Sequence, residues 1–587
     1  MIESVTVVGA GPAGLTAAYK LASQGVHPIV LEKMDKVGGI ARTECYAGFR
    51  FDIGGHRFFT KDREVDRLWH TMLGDDFLEV RRLSRIAYDG RFFSYPLDIT
   101  STLSNLGLVE SLLILFSYLK AQIRPEPEQN TFEEWVTNRF GRRLYEVFFK
   151  TYTEKVWGIP CSEIRSDWAA QRIRGLSLRA AVSNALLGNN DSKTLIDHFH
   201  YPVLGPGMMW SRFKESIENA KGEVRLDTEV VSLMRSDAGI GTVVARHDGH
   251  RMEVSSDAVI SSMPLSELVT RLDPPPPDEV LTAAGELAYR SFLIVGLILD
   301  RADLFPDNWI YLHSPDVKAG RIQNFKNWSQ AMVPDSRRTS LGVEYFCDEG
   351  DQIWSMSNAD LIALATDELA QLGLADPGCI LDGVVFRQSK AYPVYDEHYR
   401  THCRVIKDFL STIPNLQTIG RNGLHRYNNM DHSMRTGLLA AGNVLGATHD
   451  VWEVNDDADY LERDTARPDE AVVPPQVLAK AFARVDAIAL GSAVAVTAGM
   501  ILFLATMWLV VKGGEVIGPN LSLLSQYFPG YSVTVHGALI GFGYACLSGF
   551  LLGWAFAHLR NLLLRLYIYR IKKTFEWRSL RDFLDGR

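Results

Sequence analysis

The sequence predicts an α/β fold: a Rossmann-like core with an inserted mixed helical and sheet region, followed by two transmembrane helices near the end of its 587 residues. Three observations carry this: a β-branched run closing on a glycine-rich turn at the start, a second strand ending in an acidic residue, and two long charge-free segments late in the chain. Residues 4–8 (SVTVV) are followed by Gly9-Ala10-Gly11-Pro12-Ala13-Gly14 and then by the helical pattern Leu15, Ala17, Ala18, Leu21. Glycines here permit a tight turn, close approach of backbone to a pyrophosphate and close helix packing, while the helix N-terminus faces the negative charge. The second strand, residues 28–31, ends in Glu32, eighteen residues after Gly14, where a carboxylate accepts both ribose hydroxyls and disfavours a 2′-phosphate. Gly9, Gly11, Ala13, Gly14, Glu32 and Lys33 are therefore candidate dinucleotide contacts. Residues 257–264 (DAVISSMP) read as a later strand of the same unit.

The inserted region fills the remainder of a body spanning residues 1–460. Residues 461–479, with Arg467-Pro468-Asp469-Glu470 and Pro474-Pro475, read as an extended linker. Residues 487–511 then run for 25 positions without Asp, Glu, Lys or Arg, which at about 1.5 Å per residue exceeds a bilayer core of roughly 30 Å. A second charge-free stretch covers 521–559, and Pro529-Gly530 predicts a helix starting near Val533. The spans thus occupy 480–559, and 560–587 form a basic tail. Only Lys512 and Glu515 are charged between the spans, whereas Arg484 precedes the first and Arg560, Arg565, Arg570, Lys572 and Lys573 follow the second. The positive-inside rule puts the body and the tail in the cytoplasm. No basic segment of a secretory signal precedes the first strand.

Charge excludes further classes. The net charge is −9, so no overall cationic field draws nucleic acid. From Arg560 onward eight Lys/Arg face three Asp/Glu, a net +5 that leaves −14 on the rest; the tail, 561–584 interleaving aromatics with arginines, suits anionic headgroups. The six cysteines contain no CxxC pair, which argues against a disulfide framework and a zinc site; no metal is expected.

Val37-Gly38-Gly39-Ile40-Ala41-Arg42-Thr43 resembles the second glycine motif of the glutathione-reductase-like flavoprotein superfamily, which implies FAD and adds Gly38 and Gly39 to the cofactor set. A second GxGxxG is absent, so a dedicated NAD(P)H domain is not expected. Further segments resemble the UDP-galactopyranose mutases: Gly54-Gly55-His56-Arg57-Phe58, Phe93-Ser94-Tyr95-Pro96-Leu97 and Tyr152-Thr153-Glu154-Lys155-Val156-Trp157-Gly158. The same order continues with Tyr289-Arg290-Ser291, Arg321-Ile322, Tyr392-Pro393-Val394, and Gly420-Arg421 followed by Tyr427 and Met430. The resemblance covers the chain to about residue 448. It implies that Gly54, Gly55, His56 and Met430 lie beside flavin, that Tyr152, Trp157, Arg290, Tyr392, Arg421 and Tyr427 bind substrate, and that His56, Arg321 and a mobile-loop arginine, Arg172 or Arg174, are catalytic.

The implied reaction has no net redox change: reduced FAD attacks the anomeric carbon of an activated sugar, phosphate departs, and the opened sugar recloses as the furanose. Arginine forks suit phosphate oxygens, and phenols add neutral hydrogen bonds. Ile40, Arg57 and Phe59 depart from the mutase pattern towards amine oxidases and protoporphyrinogen oxidases, and Asn429 replaces an Asp. The alternative is therefore a membrane-bound FAD oxidoreductase of an apolar substrate. The spans add the bilayer as a partner, make a polyprenyl-phosphate sugar as suitable as a nucleotide sugar, and suggest membrane glycosyltransferases in glycan biosynthesis. Residues 103–120, rich in Leu, Ile and Phe, are read as a buried helix or as the lining of a lipid entrance.

Overall fold

The β-branched run at the start of the chain becomes the centre of a parallel sheet, and every other part of the site is arranged around its carboxyl edge. The structure is a computed structural model describing residues 4–95, 97, 102, 105–126, 128–166, 198–455, 486–513 and 518–584, without side chains at 108 and 563–584. Arg172, Arg174 and the 461–479 linker lie outside the described residues. Two compact units divide the chain, Met1–Asp464 and Thr465–Arg587.

In the first unit the elements that build the site are, in chain order, β1 (Ser4–Val8), α1 (Pro12–Ser23), β2 (His27–Leu31), β3 (Ser84–Tyr88), β4 (Arg91–Ser94), α2 (Leu108–Ile123), α3 (Phe132–Phe140) and α4 (Thr151–Trp157). They continue with β5 (Glu223–Arg225), β6 (Ala258–Ser261), β7 (Tyr289–Leu299), β8 (Trp309–Leu312), β9 (Arg321–Asn324), β10 (Thr339–Cys347), β11 (Ile380–Pro393), β12 (Leu416–Thr418) and α5 (Met430–Val444). One sheet has the order β12-β6-β1-β2-β5, all parallel. Val5, Val7 and Val8 are buried, as a strand covered on both faces requires. The apolar stripe of α1 (Leu15, Ala17, Ala18, Leu21) is buried against this sheet and α5. A Cβ on Gly437 of α5 would lie 2.3 Å from the Ala13 carbonyl oxygen, so glycine lets the two helices touch along their backbones.

The second sheet has the order β11-β7-β10-β9-β8-β3-β4, antiparallel except for the β8–β3 pair. Its register sets Arg321 opposite Glu344 and Arg290 opposite Tyr392. The helical insertion packs on this sheet through Trp135, Phe140, Tyr145, Phe148 and Trp157 against Phe292 and Phe346. A capping box between Thr131 and Glu134 starts α3. Glu146–Lys150 winds as a π-turn directly before α4, and Gly158, at φ 71°, ends α4 in the left-handed conformation that glycine tolerates.

The second unit contains α6 (Ala487–Lys512) and α7 (Val535–Leu584). Small residues at four-residue spacing, Gly491, Ala495 and Gly499 on α6 and Ala545, Gly549 and Gly553 on α7, bring the two backbones together. A Cβ on Gly553 would stand 3.0 Å from the Gly491 Cα. The apolar windows Ala487–Lys512 and Val535–Leu562 are long enough to span a membrane, and only 17% and 22% of them is buried, so most of their apolar surface faces outward. The α7 helix starts two residues after the position expected from the Pro-Gly pair. It continues past the boundary at 559 and 560, because neither glycine nor proline occurs between Gly553 and Gly586.

Candidate active site

The first glycine turn forms one wall of a cavity bordered by Gly9, Gly11, Ala13, Glu32, Lys33, Gly39, His56, Arg421 and Met430. Each glycine has a separate reason. Gly9 sits at φ 93°, and a Cβ there would lie 2.3 Å from Ser262 Oγ. A Cβ on Gly14 would fall 1.9 Å from the Gly9 carbonyl oxygen, so this residue closes the turn onto the helix. A Cβ on Gly39 would stand 3.2 Å from Gly11 Cα, so the two glycine motifs face one another across the cavity wall. Gly14, Gly38, Gly54 and Gly55 do not border the cavity; they set the backbone path behind it.

These residues fit FAD. Gly11 caps α1 without a side-chain bond, which leaves first-turn N–H groups for a pyrophosphate at the positive end of the helix dipole. The amino end of α5, at Asn429 and Met430, borders the same cavity. Glu32 accepts from the N–H groups of Ala10 at 2.7 Å and Met34 at 3.0 Å. Burial raises its pKa and those two bonds oppose the rise, leaving further lone pairs for ribose hydroxyls.

Beyond the cavity, side chains from segments far apart in the chain converge. A Cβ on Gly54 would lie 3.8 Å from both Arg321 Nη2 and His56 Nε2. Arg321 Nε donates to Glu344 Oε2 at 2.8 Å and Nη2 lies 2.6 Å from the same oxygen in an ion pair, while Gln323 Nε2 donates to Glu344 Oε1 at 3.0 Å. This pairing leaves Arg321 Nη1 without a partner among the described residues. Tyr392 and Tyr427 stack with centroids 5.5 Å apart, and the Arg421 guanidinium lies 4.7 Å from the Tyr427 ring centre. Trp157 meets Tyr427 at 6.1 Å and Tyr392 at 6.4 Å. Tyr152 stacks on His313 at 4.9 Å and meets Tyr311 edge-on at 5.3 Å.

Burial sets the protonation of this cluster. His56 Nε2 lies 2.8 Å from the Ile53 carbonyl oxygen, an acceptor only, so that nitrogen carries the proton. Burial pulls the imidazole pKa down to about 4 against the opposing effect of that bond, and the guanidiniums of Arg421 and Arg321 lower it further; the ring is neutral at pH 7. Burial also pushes the phenols of Tyr152 and Tyr392 up, which keeps them as neutral donors.

Tyr152, Trp157, Arg321, Tyr392, Arg421 and Tyr427 thus gather at one end of the cavity, with His56 at the junction. Arg290 does not join them: its guanidinium pairs with Asp348, donates to the Phe346 carbonyl at 3.1 Å and packs where a Gly158 Cβ would be, 2.6 Å from Cζ. Arg290, expected to bind substrate, is thus held by Asp348 and a backbone carbonyl, beside Tyr392 in the register of the sheet. Three residues not singled out from sequence complete the cluster. Glu344 is a carboxylate in the middle of a fully buried strand, and that anomaly in LGVEYFC is its sequence signal. Lys155 donates to the carbonyls of Leu312, Ser314 and Ala319 at 3.2, 2.7 and 3.2 Å, tying α4 to the loop after β8. His313, stacked on Tyr152, has no local signal.

The family profile described as flavin-containing amine oxidoreductase matches residues 12–445. A probable UDP-galactopyranose mutase from Klebsiella pneumoniae is 28% identical over 167 residues, covering 28% of this chain and 43% of that protein, so the aligned stretch spans less than half of the relative. Coproporphyrinogen III oxidase of Mycobacterium leprae (strain TN) is 26% identical over 415 residues, covering 67% of this chain and 88% of the relative. In three dimensions the chain is similar to reduced UDP-galactopyranose mutase, with TM-score 0.68 and 23% identity over 78% of this chain and 98% of that one, a likeness of fold. With glycine turns, helix termini and Glu32 all suited to one dinucleotide, this chain belongs to the flavin-containing amine oxidoreductase family and its cofactor is FAD.

Proposed function

We propose that the protein is a membrane-anchored pyranose–furanose mutase acting on an activated sugar, nucleotide- or polyprenyl-phosphate-linked, with its body and tail on the cytoplasmic side and its product passed to membrane glycosyltransferases. The observation that carries this reading is the convergence of two guanidiniums, Arg321 and Arg421, with the phenols of Tyr152, Tyr392 and Tyr427 beside the FAD cavity. Gly9, Gly11, Gly39, Glu32 and Met430 would hold the cofactor. The chemistry that FAD supplies when bound and reduced is a nucleophile for the anomeric carbon.

The protein's own residues then have two tasks. Arg321, held rigid by Glu344, presents Nη1 to a departing phosphate oxygen, and the neutral phenols donate to the same group without adding charge. Neutral His56 keeps its Nε2 proton on Ile53, so it acts as a fixed neutral wall beside the reacting sugar and not as a proton donor at neutral pH. Arg172 or Arg174, named through the resemblance and outside the described residues, would add a further cation for the phosphate. A second reading, an FAD oxidoreductase of an apolar substrate, is favoured by the long alignment with coproporphyrinogen III oxidase.

One experiment separates them. The purified full chain is reduced with dithionite under anaerobic conditions and given UDP-galactopyranose or a polyprenyl-phosphate galactopyranose, with the furanose measured by chromatography. The mutase reading expects furanose from reduced protein with no acceptor consumed. No furanose from the reduced protein overturns it, and an oxidised product formed by the unreduced protein with stoichiometric consumption of oxygen or another acceptor favours the oxidoreductase.

A further inference from the structure

Among its described residues, the first unit exposes a contiguous apolar surface on one helix. Of the twelve large apolar side chains exposed among its described residues, seven lie on α2. Scattered exposed leucines are ordinary, but a contiguous strip marks an interaction surface. Val109 (73% exposed), Leu112, Leu113, Phe116 (67%), Leu119 and Ile123 (78%) fall within a sector of about 120°, counting 100° per residue. Leu115 borders that sector. Ile114 and Ala121, on the far side, are buried, and Ile114 belongs to the cluster that contains Trp135 and Trp157.

The helix is firmly held in this orientation. Arg143 grips Glu110 with Nε at 2.5 Å and Nη2 at 3.0 Å, its own N–H donates to Ser117 Oγ at 3.0 Å, and Gln122 donates to the Asn138 carbonyl at 2.9 Å. Gly141 passes so close that a Cβ would meet the Tyr118 nitrogen at 2.6 Å. A helix clamped along its inner side cannot roll to hide its outer side, so the apolar strip is a built feature of the surface.

We propose that α2 is a membrane-docking face, lying in the interfacial plane of the bilayer with this strip among the acyl chains. Two observations choose the occupant. The same chain carries α6 and α7, whose apolar windows are mostly unburied, so a bilayer is already the partner of this protein in the reading given above, on which this inference rests. At the carboxyl end of the strip, next to Leu119 and Ile123, Lys120 and Arg124 are exposed and carry no ion pair among the described residues. Long cationic side chains at that position reach headgroup phosphates while their stems stay with the lipid. A second copy of the chain would bring cations of its own to this edge, whereas an anionic leaflet brings complementary charge. Docking on this face would hold the α4 end of the candidate site near the leaflet, since α2, α3 and α4 share one core.

The test places a photoreactive side chain in the full-length protein reconstituted in phosphatidylcholine vesicles containing phosphatidylglycerol. Separate variants carry Phe116→p-benzoylphenylalanine, Leu504→p-benzoylphenylalanine in α6, and Gln371→p-benzoylphenylalanine on an exposed helix elsewhere in the first unit, and the products are identified by mass. The expected result is a lipid adduct at 116 and at 504 and none at 371. Lipid capture at 504 with none at 116, or a protein dimer at 116 in its place, overturns the docking face and leaves the anchor standing; no capture at 504 overturns the anchor itself, and docking with it. In the Phe116 variant, Lys120→Glu with Arg124→Glu should lower lipid capture by about fivefold or more in the anionic vesicles. An unchanged yield overturns the role assigned to the headgroups.

Discussion

The two ends of the site are built differently. At the nucleotide end, positions within about thirty residues do the work through backbone: glycines without a Cβ, N–H groups at a helix start and one carboxylate at a strand end. At the other end every contribution is a side chain brought from far along the chain: Tyr152 from the helical insertion, Arg321 and Glu344 from neighbouring strands, Tyr392 from an edge strand, and Arg421 and Tyr427 from the loop before α5. The first construction tolerates almost no added atoms. The second depends on pairing and burial, and its members fail one at a time.

This contrast sets the order of expected effects. Gly14→Val should have the broadest effect, because the added carbon would overlap the Gly9 carbonyl and a chain without FAD loses both ends of the site; FAD retention should fall by about 100-fold or more, about 2.7 kcal/mol, read as flavin absorbance per mole of purified protein. A Gly14→Val protein that keeps a full complement of flavin would show that the turn is less tightly determined than its geometry indicates.

Substitutions at the side-chain end should spare the cofactor and split by role. Arg321→Ala is expected to lower kcat by roughly 100- to 1,000-fold with flavin content unchanged, as for loss of a transition-state donor. Glu344→Ala should in addition destabilise the fold by about 3–5 kcal/mol, since it strands a mostly buried guanidinium. Arg290→Ala, by contrast, should lower the melting temperature without a selective loss in kcat, because its partners are Asp348 and a backbone carbonyl. A selective loss of kcat in that variant at unchanged stability would return Arg290 to the substrate set.

The smallest effect concerns pH. Burial is the largest influence on His56, His313 and His425 and pulls their pKa values down to about 4, 3 and 4, so each binds its proton in the unfolded chain first. Stability is therefore fully present above about 6.5 and is lost as pH falls, by up to about 1.4 kcal/mol per pH unit for each histidine. Asp52 has the opposite sign: burial raises its carboxyl to about 7 against hydrogen bonds from Tyr201 and Thr43, so in the folded protein it keeps a proton that the unfolded chain releases above about 4. Between pH 4 and 6.5 Asp52 offsets one of the three histidines. Asp52→Asn should steepen the acid loss of stability by one such increment, seen in denaturation midpoints measured from pH 4.5 to 7. A slope unchanged by the substitution would show that Asp52 is charged throughout.

Legibility followed the same division. The glycine turns, β1, β2, Glu32 and both apolar helices could be read directly, because a strand, a turn and a long apolar run each declare themselves within one window of sequence. Tyr152, Tyr392, Arg421 and Tyr427 could be named only through resemblance, since nothing local distinguishes them from core aromatics and paired cations. Arg290 shows the cost: the residue matches a family segment, yet its guanidinium turns to Asp348. The α2 helix shows it again, for its composition fits a buried helix as well as a docking surface.

Local chemistry in the chain was sufficient to specify a glycine-rich turn between strand and helix, an acidic residue at the end of the second strand and two segments long and apolar enough to cross a bilayer, because those properties depend on neighbours a few residues away. Which carboxylate or carbonyl each arginine meets, and which face of an apolar helix stays uncovered, are set by strand register and packing between segments far apart in the chain. Burial and pairing energies exist only once those segments meet, so no stretch of sequence records them by itself.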